Sequence, residues 1–158
     1  MRTDALPYLD EHTTVVAAGT DALWRGLAEV LERSAARPGA SGYTRLVGCA
    51  DRTASGPRPF AEGSTLPGFR VTAAVPGSEL ALRGSHRFSS YALVFRVEPI
   101  GPDRSRLRAE SRAEFPGLAG AAYRRLVVGT GGHARAMRRL LTSIRTRAER
   151  DDGPTTTT

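Results

Sequence analysis

The chain has 158 residues, 40% of them hydrophobic and 25% charged, and a formal net charge of +7. This length predicts one domain, because domains cluster at roughly 100–150 residues, and the composition is that of an ordinary globular protein. The one cysteine, Cys49, excludes an internal disulfide framework and a CxxC zinc site. The first residues lack a secretory pattern, and no apolar run approaches the ~18 residues of a membrane span. We therefore expect a cytoplasmic protein without a membrane span, monomeric or weakly dimeric.

Arginine supplies all 23 basic side chains, and lysine is absent. Guanidinium groups suit phosphates and carboxylates, which raises nucleic acid as a partner. The arginines are nevertheless spread along the chain and interleaved with Glu110, Glu114 and Glu149. No aromatic residues alternate with them as in a single-strand binding groove, and no nucleic-acid motif is present. We expect a solvated cationic face and no specific nucleic-acid partner.

The first part of the chain predicts a strand followed by a helix. Residues 11–18 are rich in Thr and Val, which is typical of strands. Over residues 20–35 the apolar side chains recur at helical spacing, which predicts an amphipathic helix. These side chains are Trp24, Leu27, Ala28, Leu31 and Ala35. The Arg-Pro-Gly sequence at residues 37–39 then ends the helix.

The middle of the chain is strand-like and interrupted by Pro-Gly turns. The predicted strands are residues 43–49, a weaker one at 58–64, residues 69–75, and a hairpin of residues 79–84 and 91–98. The clearest strand follows at residues 104–115, where charged even positions alternate with apolar or small odd positions. This alternation indicates a half-buried antiparallel strand with one wet face. Its buried face carries three small residues in a row, Ala109, Ser111 and Ala113, which leave room either for a close-packed helix or for a cavity.

The longest predicted element is an amphipathic helix over residues 118–149. One side carries Ala119, Tyr123, Leu126, Thr130, His133, Met137, Leu140, Leu141, Ile144 and Ala148. The opposite side carries Arg124, Arg125, Arg135, Arg138, Arg139 and Arg150. The Gly-Thr-Gly-Gly run at residues 129–132 interrupts the pattern, so we expect a bend or a weak turn there. Residues 151–158 lack apolar anchors and are predicted to be a disordered tail after a single domain over residues 1–150.

The predicted elements follow a specific order. A strand comes first, then a helix that opens with TDALW at residues 20–24, then a run of antiparallel strands and finally a long C-terminal helix. This order of parts resembles the START-like helix-grip superfamily, also called SRPBCC, which includes polyketide cyclases, lipid-transfer domains and pollen allergens. Residues 68–71, 86–88 and 91–95 are similar to the superfamily's central meander, and the resemblance spans residues 11–149. Within the superfamily the chain is most similar to bacterial members without an assigned activity.

The resemblance implies an α+β fold in which a curved antiparallel β-sheet grips the long C-terminal helix, with a shorter helix after the first strand. It also implies a pocket between the sheet and the long helix, where members of the superfamily often bind apolar ligands. Function does not follow from a fold alone, because it depends on the residues of the site.

His133 is the first candidate site residue, because it lies on the apolar side of the long helix, where the implied fold aims it at the pocket or the sheet. An imidazole there can polarise a ligand carbonyl or transfer a proton near neutral pH. The alternative is a core histidine bonded to a backbone carbonyl or to Ser111. Tyr91 and Phe95 either line the pocket or belong to the core. The predicted ligand-binding residues are Tyr91, Phe95, Ser111, His133 and Met137.

Other residues carry weaker signals. We expect His12 and His86 to be exposed or structural, and Cys49 to behave as a small buried hydrophobe. Three widely separated histidines show no metal-ligand spacing, so we expect neither a metal nor a cofactor. The chain lacks the G-x-S-x-G pattern of a hydrolase, and its glycine run lacks the ending of a phosphate-binding loop.

These observations favour binding of an apolar or amphipathic small molecule, or a lipid-like ligand, in the pocket between the sheet and the C-terminal helix. One alternative is a cyclase- or dehydratase-like enzyme with His133 as acid or base, which needs Ser111, Tyr91 or Thr130 as a second polar group. A further alternative is a pocketless module that docks an acidic partner through its arginine-rich surfaces, with an affinity that falls as salt rises.

Overall fold

The computed structural model of the chain describes residues 5–37, 46–51, 54–57 and 60–152. Its strands are β1 (Tyr8–Val16), β2 (Thr65–Leu66), β3 (Phe69–Val75), β4 (Glu79–His86), β5 (Ser89–Gly101) and β6 (Arg104–Glu114). They form one curved antiparallel sheet in the order β1-β6-β5-β4-β3-β2. The helices are α1 (Thr20–Ala35), α2 (Gly117–Arg124) and α3 (Gly132–Asp151), with a π-helical segment (Arg125–Gly129) between α2 and α3. The predicted α+β helix-grip class is confirmed.

Two predicted strands in the middle of the chain are wrong where the structure describes them. Residues 43–45 lie outside the described part, and Leu46 and Val47 belong to a helical turn that ends at Gly48, whose φ is +72°. Residues 58–59 also lie outside it, and the backbone from Phe60 to Ser64 forms a turn with Gly63 at φ +91°. Positive φ at these glycines turns the chain and prevents an extended strand.

The other strands differ from the prediction mainly in length. β1 begins three residues earlier than expected, and the hairpin strands continue to His86 and Ser89, which pair with each other across the two-residue turn at Arg87 and Phe88. Helix α1 and strand β3 have the predicted bounds. β1 and the hairpin strands are longer than predicted because backbone pairing continues beyond the residues that show a clear alternation of apolar and polar side chains.

The expected interruption of the long helix is present. After α2 the backbone widens into the π-helical segment and reaches Gly131, which has φ +77° and caps α3. Leu126 is 68% exposed, although the helical period placed it on the apolar side. The π-helical segment and the turn at Gly131 change the phase of the helix, so residues before and after the turn do not share one face. Helix α3 reaches Asp151, one residue into the predicted tail, and residues 153–158 lie outside the described part.

The core lies at one end of the concave face of the sheet, where α1 crosses α3. Leu23 and Leu27 of α1 and Ile144 of α3 are fully buried there. A Cβ atom at Gly26 would lie 3.1 Å from the backbone nitrogen of Ala148, so the missing side chain lets the two helices approach closely. None of the described helices combines the length and the apolar character needed to cross a membrane.

Candidate functional site

Away from the packed core, the same concave face and α3 border a cavity of about 1330 Å³ that is partly open to solvent. It lies between strands β4 to β6, the C-terminal end of α1, the π-helical segment and α3. Apolar and aromatic side chains form much of its wall, among them Leu93, Ala113, Phe115, Tyr123, Met137 and Leu140. The cavity therefore lies between the sheet and the long helix, where the family resemblance implied a pocket.

The register between β5 and β6 explains where the core ends and the cavity begins. Phe95 pairs with Ala109 and both are fully buried in the core, whereas Tyr91 pairs with Ala113 and both line the cavity. Of the small residues on β6, Ala109 is thus close-packed, while Ser111 and Ala113 face open space.

The structure brings four of the five predicted site residues to the cavity wall: Tyr91, Ser111, His133 and Met137. It does not place Phe95 there, although Phe95 faces the same side of the sheet as Tyr91. Phe95 and its register partner Ala109 both belong to the buried core cluster, together with residues of α1 and α3. Phe95 lies on the same face of the sheet as the site residues, but too far along β5 to reach the cavity.

A polar cluster joins α3 to β1 and β6. His133 Nε2 lies 3.3 Å from Asp10 Oδ1 and 3.2 Å from Ser111 Oγ. The other carboxylate oxygen of Asp10 lies 3.1 Å from His12 Nε2. One carboxylate therefore contacts two imidazoles, and these three side chains are 18–29% exposed.

Both contacts of His133 use the same ring nitrogen, which limits the chemistry that the cluster can do. A carboxylate only accepts hydrogen bonds, so Nε2 carries the proton that Asp10 accepts. In the tautomer that carries this proton, Nδ1 is the accepting nitrogen of the ring. A Ser-His-Asp hydrolase uses one ring nitrogen for the serine and the other for the carboxylate. The cluster is thus unlike a hydrolase triad, because Ser111 and Asp10 share one nitrogen of His133.

Asp10 belongs to the candidate site and was not predicted from the sequence. The predicted first strand began at residue 11, but β1 starts at Tyr8 and contains a bulge that brings Asp10 opposite Ser111. From there Asp10, His12 and the following alternate residues share the concave face. Alternation over a longer strand was the signal that could have found Asp10, whereas the bulge depends on pairing with β6.

Aromatic side chains close one end of the cavity around Tyr91. Its hydroxyl donates to the backbone carbonyl of Gly68 at 2.6 Å and lies 3.8 Å from Cys49 Sγ. The Phe69 ring packs edge-on against it at 5.2 Å. A Cβ atom at Gly84, the partner of Tyr91 in the register, would lie 2.5 Å from the Tyr91 ring. Glycine at position 84 is therefore what lets Tyr91 lie flat across β4 and reach Gly68.

His86 lies half-buried in the same wall, packed against the rings of Tyr91 and Tyr123 at 5.5 and 4.9 Å. The backbone N–H of Phe88 donates to His86 Nδ1 at 3.1 Å, so the ring proton is on Nε2, next to the Ser89 hydroxyl at 3.2 Å. Burial lowers the pKa of His86 below its usual value of 6.5. The neutral ring is thus part of the wall, a structural role that the sequence analysis allowed, although not an exposed one.

Thr130, the other polar residue expected near His133, is exposed and donates its hydroxyl to the backbone carbonyl of Leu126. Cys49 is buried, as predicted, and also lines the cavity. Within the described residues, no group of three or more His, Cys, Asp or Glu side chains is arranged to hold a metal ion.

No family model and no curated protein matches this chain. Several solved structures do resemble it in three dimensions. The Zhui aromatase/cyclase from Streptomyces sp. R1128 is 16% identical, with a TM-score of 0.59 over 92% of this chain and 94% of that one. A START superfamily protein from Mycobacterium smegmatis is 13% identical, with a TM-score of 0.54 over 90% and 98% of the two chains.

A truncated norcoclaurine synthase from Thalictrum flavum is 13% identical, with a TM-score of 0.51 over 88% of this chain and 93% of that one. At such identities the likeness concerns the fold and carries no activity with it. The sheet order, the long C-terminal helix and these neighbours agree. The chain has the START-like, or SRPBCC, helix-grip fold that its order of predicted elements resembled.

Proposed function

We propose that the chain binds an apolar or amphipathic small molecule in the cavity between the sheet and α3. The observation that carries this proposal is the cavity itself, about 1330 Å³ in volume and walled largely by apolar and aromatic side chains. Small-molecule sites combine such walls with a few fixed polar groups. Ser111, His133 and Tyr91 supply polar atoms here, and Met137 gives an adaptable apolar contact.

The position of Ala113 in the cavity wall allows a test of the proposed binding function. Replacing Ala113 by Phe places a large ring where the wall now faces open space, whereas Ala113→Ser changes the same position by one oxygen. We expect the wild type and Ala113→Ser to bind the neutral fluorescent probe pyrenebutanol, and Ala113→Phe to bind it at least about tenfold more weakly, a difference of about 1.4 kcal/mol. Equal binding by all three proteins in a fluorescence titration would contradict the proposal.

An acid–base enzyme is the second candidate, favoured by the contact between His133 and Asp10. Since Asp10 accepts the proton of Nε2, the contact favours the tautomer of His133 in which Nδ1 is the accepting nitrogen, and His133 belongs to the cavity wall. Two of the solved structures named above, the aromatase/cyclase and norcoclaurine synthase, are enzymes. Their names alone give no reaction to this chain.

The candidate predicts a separation of binding from turnover. For a substrate identified from material that co-purifies with the protein, His133→Gln should lose about 100-fold or more in kcat while its Kd changes little, because general acid–base catalysis typically contributes 10²–10⁴-fold. Thr130→Val, which changes an exposed residue bonded to its own helix, is the matched control. Unchanged turnover by His133→Gln would leave binding as the only function of the cavity.

A further inference from the structure

The net positive charge of the protein comes from the segment that closes the cavity. Residues 116–148, which include α2, the π-helical segment and most of α3, contain seven arginines and no acidic residue. The rest of the chain contains 16 arginines and 16 acidic residues. The formal net charge of +7 therefore equals the charge of this one segment.

Several arginines of the sheet form ion pairs with acidic neighbours. On the face of the sheet that points away from α3, Arg96 contacts Glu110 at 2.9 Å and Arg108 contacts Glu98 at 3.0 Å. Arg108 also lies 3.3 Å from Glu11, so the pairs extend across β1, β5 and β6. These arginines belong to a network of ion pairs. Because their charge is balanced by carboxylates, this face attracts a further anion only weakly.

Four arginines of α3 line the cavity without an ion pair among the described residues, three of them close together in the first half of the helix and the fourth, Arg150, near its end. Arg135, Arg138 and Arg139 are exposed, belong to the cavity wall and make no ion pair within the described part of the chain. In the same helix Arg147 is bound by Glu29, and this contact raises the pKa of Arg147. Side chains that are open to solvent and also line a cavity mark its mouth.

Apolar and cationic residues of the cavity wall lie within one turn of each other on α3. Met137 is buried and lines the cavity, and Arg138 follows it directly in the sequence. Guanidinium groups bind carboxylates and phosphates through paired hydrogen bonds, which a neutral ligand does not offer. A molecule that fills the apolar part of the cavity would bring its outer end to these three arginines.

We propose that the ligand of this cavity is an anionic amphiphile, whose carboxylate or phosphate is held at the mouth by Arg135, Arg138 and Arg139. This inference rests on the proposed binding function and names the chemical class of the ligand. The ligand binds as a single molecule, not as part of a membrane, with its apolar body inside the cavity. The arginines favour it over neutral molecules of the same shape.

The test compares two probes that share a ring and a chain, pyrenebutanoate and pyrenebutanol, in fluorescence titrations. The wild type should bind the acid about tenfold more tightly than the alcohol, and added salt should weaken only the acid. The double variant Arg138→Gln with Arg139→Gln should lose this preference. Arg125→Gln with Arg145→Gln removes the same charge from positions outside the cavity wall and should keep it.

The outcomes separate this inference from the function on which it rests. Equal binding of the acid and the alcohol overturns the anionic ligand and leaves the binding function intact. Failure of both probes overturns the binding function as well. Retention of the wild type by phosphatidylglycerol vesicles, lost in the Arg138 and Arg139 variant and without preference between the free probes, would assign these arginines to a membrane surface and overturn the inference.

Discussion

At the scale of single residues, the polar chemistry of the cavity depends on Asp10. Its two oxygens contact His12 and His133, and the bulge in β1 places it opposite Ser111. Removing the carboxylate would free the His133 ring and leave the choice of tautomer to Ser111 alone, because the serine hydroxyl both donates and accepts. The acid–base candidate thus requires Asp10 as a positioning residue.

His86 carries a prediction about pH, because burial lowers its pKa from the usual 6.5. The unfolded chain then takes up a proton at a higher pH than the folded chain does, so the free energy of unfolding falls as the pH drops below about 6.5. We expect His86→Gln to reduce this loss of stability between about pH 7 and about pH 5, measured by urea unfolding. An identical pH dependence in the variant and the wild type would contradict the assignment.

At the scale of elements, the break between α2 and α3 determines which residues reach the cavity. The π-helical segment supplies Val127 and Val128 to the wall, and the turn at Gly131 starts α3 so that Met137 faces inward. An uninterrupted helix would also have buried Leu126, which is exposed. The glycine run is therefore a turn that sets the direction of α3.

Two glycines of this run give a matched pair of variants. Gly131 has φ +77°, a conformation that alanine adopts only with strain, whereas Gly129 has an ordinary φ and open space around its Cβ position. We expect Gly131→Ala to lower the free energy of unfolding by about 1 kcal/mol and Gly129→Ala to leave it unchanged or slightly raised. Urea unfolding measures both changes. Equal effects of the two substitutions would show that the turn does not depend on positive φ.

At the scale of the whole molecule, much of the fold follows from the periodicity of the sequence. The alternation in β6 and the helical spacing in α1 correctly predicted a half-buried antiparallel sheet and its first helix, because burying one face requires those periods. The site was harder to predict from the sequence than the fold. Asp10 depends on a bulge set by pairing with β6, and Phe95 is excluded by where α1 and α3 cover the sheet. Neither contact is local in the sequence.

The distribution of charge is also a property of the whole molecule. A solvated cationic face was expected, and the structure adds that Arg96 and Arg108 of the sheet are paired, while Arg135, Arg138 and Arg139 of α3 make no ion pair within the described residues. A cavity with an aromatic end around Tyr91 and a cationic mouth at Arg138 is suited to a molecule with two unlike ends.

The most direct test of the binding function is native mass spectrometry of the freshly purified protein, followed by denaturation and extraction. We expect the wild type and Ala113→Ser to carry one small molecule per chain that is released on denaturation, and Ala113→Phe to lack it, because the introduced ring occupies its place. The apo mass in all three proteins, with nothing extracted from any of them, would contradict the account of the cavity as a ligand site.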